Sequence, residues 1–177
     1  MSRTFVESVV LLLLTAGLTG LLAPWVLKRV EERRLRRGKI IEAQSKLLDD
    51  LSALLWGWRY MTVKVTYYAV KGDAERYAAA RKDYDEKVWE VFNDMRRQIS
   101  LSIRLVSMES YQTLLEQRRY MSDLDREMSA LLKNEAQTDE WRAEAKRMHE
   151  HIRAEATTRI DDLINRLATE LHLKASL

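Results

Sequence analysis

LLDDLSALLWGWRYMTVKVTYYAV, residues 47 to 70, is the stretch whose reading decides the fold. Leu47, Leu51, Leu54, Trp58, Met61, Val65 and Tyr68 recur at alternating spacings of four and three. Side chains so spaced share one face of an α-helix, in the a and d pattern of a coiled coil or bundle helix. Ile40, Ile41, Leu48 and Leu55 widen the stripe. A second stripe, Trp56, Tyr60, Val63, Tyr67 and Val70, follows the same spacing on the opposite face. The polar residues between the two are few: Arg59, Thr62, Lys64 and Thr66. A helix solvated along one side is polar there, and exposed aromatic residues mark interfaces. The second stripe is therefore a candidate partner interface, for another copy of the chain or for a different protein. The alternatives are that these tyrosine and tryptophan side chains snorkel at the bundle surface, or that another helix of the same chain covers them.

Toward the C-terminus the chain reads as three more helices. Lys71-Gly72-Asp73 ends the first, with Gly72 suited to a left-handed cap and Asp73 to the N-cap of the next. The second helix spans about 74 to 106, on Tyr77, Tyr84, Val88, Val91, Phe92, Met95, Ile99, Ile103 and Val106. Ser107 is the expected N-cap of the third helix, about 108 to 134, although a break resting on one serine leaves near-continuity open. Its inward residues are Tyr111, Leu114, Leu115, Met121, Leu124, Met128, Leu131 and Leu132. Residues 134 to 137 read as a turn. Thr138 then caps a fourth helix reaching about His172, on Trp141, Ala145, Met148, Ile152, Ala156, Ile160, Leu163, Leu167 and Leu171. Residues 174 to 177 are expected to fray. Four such helices on short turns predict an all-α antiparallel four-helix bundle over residues 40 to 177.

Toward the N-terminus, Ser8 to Leu27 is twenty consecutive uncharged residues. At about 1.5 Å per residue that length crosses the roughly 30 Å hydrocarbon core of a bilayer. Residues 1 to 27 are thus read as a single transmembrane anchor. A cleaved signal peptide would have a shorter core and a small-residue cleavage site. Ala16 and Gly20 form a small-xxx-small pair, Pro24 predicts a bend, and Trp25 falls at the inner interface. Residues 28 to 39 follow with Lys28, Arg29, Arg33, Arg34, Arg36, Arg37 and Lys39 against Glu31 and Glu32, a local charge of +5. Such a flank stays on the cytoplasmic side and attracts anionic lipid headgroups. The expectation is an inner-membrane protein with its N-terminus outside and residues 28 to 177 in the cytoplasm. Gly38 is a candidate hinge between anchor and bundle, a continuous helix being the other reading.

Composition excludes several classes. The 177 residues contain no cysteine, so no disulfide or thiolate site exists, and one proline and five glycines suit long helices. The net charge of +3 comes from residues 28 to 39; residues 40 to 177 sum to −2, which argues against a nucleic-acid surface on the bundle. His149 and His151 lie about 200° apart around a helix and share no ligand face. No Glu-x-x-His pair, phosphate-binding loop or nucleophile motif is present, so no catalytic, cofactor or metal site is expected. Asp49-Asp50, Asp123 with Asp125, and Asp161-Asp162 read as charged outer faces. Gly57, between Trp56 and Trp58, either admits a ligand against the rings or eases a helix crossing.

From Leu21 to Lys39 the order of apolar anchor, proline, basic residues and long helix resembles, in type, the membrane-bound b subunit of rotary ATP synthases. The likeness ends there: Gly72-Asp73 breaks the helix, and five tryptophans and seven tyrosines do not suit a two-stranded stalk. The functional expectation is a non-enzymatic scaffold, adaptor or regulator at the membrane. Its rivals are a signalling module coupled to the anchor and an accessory subunit of a membrane complex.

Overall fold

The computed structural model describes residues 23–133 and 138–171. All regular structure among them is helical: α1 Ala23–Lys71, α2 Ala74–Ser102, α3 Met108–Lys133, α4 Asp139–His151 and α5 Thr157–Glu170. A single π-helical segment, Ile152–Ala156, joins α4 to α5, so these form the fourth rod. The chain divides into two units, Met1–Glu42 and Ala43–Leu177. The first unit's described residues, 23 to 42, are a helical segment exposed from Trp25 onward. The expected anchor's residues 1 to 22 lie outside the described residues, and no described helix is long and apolar enough to cross a membrane. The turn expected at 134 to 137 and the fraying end at 174 to 177 also lie outside them.

The second unit is an up-down-up-down bundle, and its cross-helix contacts fix that topology. Gln98 reaches Asp50 and Asp83 reaches Lys64, so α1 and α2 run antiparallel. Tyr84 donates to Asp125 between α2 and α3. Glu109 meets Arg166, and Trp141 Nε1 donates to the Leu131 carbonyl at 3.0 Å, joining α3 to the fourth rod. That rod closes on α1 through Arg59 to Thr157 at 2.6 Å and Thr66 to His149 at 3.0 Å.

Local chemistry sets the helix ends as expected. Gly72 has φ +70°, a conformation glycine adopts at no steric cost. Asp73 accepts from the Arg76 amide, Thr138 from the Trp141 amide, and Ser107 Oγ from the Ser110 amide. The second helix stops earlier than its pattern suggests, at Ser102. Ser102 Oγ turns back to the Ile99 carbonyl, and residues 103 to 107 make a turn that separates α2 from α3. Ile103, expected inside, is exposed there, whereas Val106 packs against the core. Gly38 is no break; it lies inside α1.

Every residue of the fourth rod's stripe, Trp141 to Leu171, is buried. Its spacing runs four, four, four between Met148 and Ile160, twelve residues where three α-helical turns take about eleven. The π turn absorbs the extra residue and keeps both ends of the stripe on the core. On α1 the inner face is Leu47, Leu51, Leu55, Trp58, Val65 and Ala69, while Leu54, Met61 and Tyr68 are only partly buried. Thr62 and Thr66, expected between the stripes, are fully inside. Their hydroxyls donate to carbonyls one turn back, at 2.8 Å to Arg59 for Thr62 and 3.0 Å to Thr62 for Thr66, so burial leaves no donor unpaired.

Candidate interaction site

The outer face of α1 lies opposite Trp58 and carries three large exposed rings. Trp56 is 36% exposed, Tyr60 65% and Tyr67 43%. Val63 and Val70, from the same stripe, pack against the core, so the exposed part narrows to the three aromatic residues. The rings span eleven residues, or about 16 Å of helix. Neighbouring groups hold two of them, Trp56 and Tyr67. The Arg59 guanidinium lies 5.5 Å from the Trp56 ring and Lys71 Nζ 5.7 Å from Tyr67. Tyr67 also meets Tyr68 edge to face and tilts against the His149 ring. Arg59 is itself fixed by Thr157, so the cation beside Trp56 is set by the bundle rather than by a free side chain.

The two histidines face different neighbours, as their spacing requires. His149 contacts Thr66 on α1; burial, then the Arg153 charge, lowers its pKa below the ordinary 6.5. His151 pairs with Glu155 at 3.3 Å and touches the Tyr120 hydroxyl at 3.2 Å. Among the described residues no group of three or more metal-ligating side chains converges. Two phenols, the buried Tyr84 and the partly buried Tyr120, are raised above their ordinary value. Burial, with a contribution from Glu155, pushes Tyr120 up to about 12. Burial and the Asp125 hydrogen bond raise Tyr84 further. Asp125 and Asp50 are thus not purely solvated charges: each accepts a hydrogen bond across a helix pair. Asp49, Asp123, Asp161 and Asp162 are exposed as expected.

A second feature lies beside the aromatic face. α1 and α2 border a cleft of about 520 Å³, with Asp50 and Gln98 toward one end and Tyr60, Met61 and Asp83 toward the other. Gly57 stands on its wall. A Cβ placed there would meet no atom within 4 Å, so the glycine does not serve a close helix crossing. Sequence reasoning also missed the buried amides. Gln98 and Gln117 are 3% and 4% exposed, and each keeps one amide atom without a protein partner. Gln117 occupies the gap in the third helix's stripe between Leu114 and Met121, which was the available signal.

In the first unit, the basic residues 28 to 39 are all exposed, and Arg29 stacks over the Trp25 ring at 4.0 Å. No protein-family model, curated protein or solved structure matches the chain.

Proposed function

We propose that this protein is a single-pass membrane protein of the inner membrane whose cytoplasmic helical bundle is a non-enzymatic interaction module, self-associating through the outer face of α1. The observation that carries this reading is the trio Trp56, Tyr60 and Tyr67, exposed on a helix whose other face is fully used by the core. Exposed aromatic groups, two of them beside cations, suit the composition of an interface centre. The membrane part rests on the uncharged run Ser8 to Leu27 and on the seven basic residues that follow it. Those residues would lie against anionic headgroups, at about 1 kcal/mol each. A nucleic-acid partner is disfavoured by the −2 charge of residues 40 to 177.

The orientation is directly testable because the chain has no cysteine. Single substitutions Ser2→Cys and Ser122→Cys provide labels on either side of the expected anchor. A membrane-impermeant maleimide applied to intact cells should label the first and not the second. Labelling of both, or of the second alone, overturns the orientation. A signalling role is a second reading, in which Gly38, a residue inside a helix rather than a break, passes movement of the expected anchor to the bundle.

A further inference from the structure

We infer that the turn between α2 and α3, residues 103 to 107 with Leu101 and Met108 on either side, is a second membrane contact. Its apolar side chains enter the headgroup layer of the bilayer that holds the expected anchor. The contact depends on the membrane reading proposed above and adds to it a site on the bundle itself.

The composition of this tip is the first observation. Leu101 is 54% exposed, Ile103 56% and Met108 67%. Elsewhere in the bundle, among the described residues, the exposed large apolar side chains are all aromatic. The three non-aromatic ones thus fall within a single stretch, 101 to 108, around one turn. That turn is built rather than loose. The Leu105 and Val106 amides both donate to the Ser102 carbonyl, at 2.8 and 3.0 Å, and Val106 packs on the core. Apolar side chains clustered outside on a fixed turn mark an interaction surface.

The position of the turn says what covers it. Gln44 Nε2 donates to the Leu105 carbonyl at 2.9 Å, so the turn lies beside the residues with which α1 enters the bundle. From Lys39 to Gln44 is five residues, about 8 Å of helix. With the basic residues 28 to 39 against headgroups, as proposed, this end of the bundle comes within reach of the same surface. The opposite tip lies about 40 Å further along α1. Its described turn, Lys71-Gly72-Asp73, has no exposed large apolar residue.

Charge agrees with a lipid surface. Arg104 is exposed among the three apolar side chains. The carboxylates beside the turn are engaged, Glu109 by Arg166 and Glu170 by Ser107 and Ser110. At an anionic interface a basic residue contributes about 1 kcal/mol while apolar neighbours sink below the headgroups. A second copy seated tip to tip would instead place two Arg104 side chains against each other.

The test uses the full chain in nanodiscs containing phosphatidylglycerol. The chain has no cysteine, so Ile103→Cys, Lys71→Cys and Thr15→Cys each accept a single NBD fluorophore. Nitroxide-bearing lipids report contact with the bilayer, and aqueous iodide reports contact with water. The label at 103 should be quenched by lipid, shift its emission to the blue and lose access to iodide. The label at 71 should be quenched by iodide alone, and the label at 15 by lipid alone. Adding Leu101→Asp and Met108→Asp to Ile103→Cys should abolish the lipid quenching at 103 with helicity unchanged, since both side chains are already exposed. Iodide quenching at 103 equal to that at 71, with lipid quenching intact at 15, would overturn the contact and leave the anchor standing. Iodide access at 15 would overturn the anchor and the contact with it. Protection at 103 from both quenchers would mean that protein covers the turn, and lipid quenching that survives the two aspartates would mean that its apolar side chains do not make the contact. Either result would overturn the inference.

Discussion

The two faces of α1 between Leu47 and Val70 have similar apolar content and opposite fates. The inner face puts Leu51, Leu55 and Trp58 at zero exposure, and with them the polar Thr62 and Thr66. The outer face leaves Trp56, Tyr60 and Tyr67 in solvent. A threonine is thus more buried than a tryptophan a few residues away. Side-chain hydropathy does not explain this; satisfaction does. Each threonine hydroxyl returns to a carbonyl of its own helix, so burial costs it no hydrogen bond. The neighbouring rods close on one side of α1 only, and whatever chemistry lies opposite stays outside. The outer rings therefore face solvent and take no part in the core.

That contrast can be broken by unequal substitutions on the two faces. Trp58→Ala empties the centre of the core and should destabilise the bundle by about 3–5 kcal/mol in chemical denaturation. Thr66→Val removes the hydroxyl facing His149 and should cost about 1–2 kcal/mol, since the ring nitrogen then sits half-buried without that partner.

A smaller effect is expected from pH. The folded state holds His149 below its ordinary value of 6.5, so the unfolded chain binds that proton more readily. Its contribution is therefore intact above that value and is lost as pH falls through 6.5 toward the folded value. Thermal midpoints measured from pH 7.5 to 5 should decline, and His149→Gln should flatten the decline. At still lower pH Glu170 adds to it. Burial alone would raise that carboxyl, but donors from Ser110 and Ser107 outweigh burial and hold it below the usual 4.5. The smallest change in the stability of the isolated monomer belongs to the outer face: measured at protein concentrations too low for association, Trp56→Ser, Tyr60→Ser and Tyr67→Ser should each stay within about 0.5 kcal/mol of wild type.

The legible part of the fold was the part written in periodicity and caps. The stripe from Trp141 to Leu171 is buried throughout, and Gly72, Asp73, Ser107 and Thr138 act where their chemistry suggests. What the pattern hid were residues whose burial depends on a distant partner. Gln98 is inside because Asp50 meets it from another helix, and Ser110 because Glu170 does. The end of α2 was misplaced because Ile103 and Val106 continue the apolar period past the point where the backbone turns. The π turn was visible as three successive spacings of four, but only once such a run is treated as a surplus residue. The aromatic face was readable as residue type and not as exposure. Val63 and Val70 share its spacing yet reach the core, because they lie at its margin where the neighbouring helices approach.

The most direct test of the interaction reading is the protein mass of the purified full chain in a defined detergent, by light scattering with the detergent contribution subtracted. Wild type is compared with the triple variant Trp56→Ser/Tyr60→Ser/Tyr67→Ser, with helicity recorded for both. The account predicts a defined oligomer for wild type and a monomer of unchanged helicity for the variant. A wild-type monomer at all concentrations, or an oligomer that the three substitutions leave intact, would contradict it.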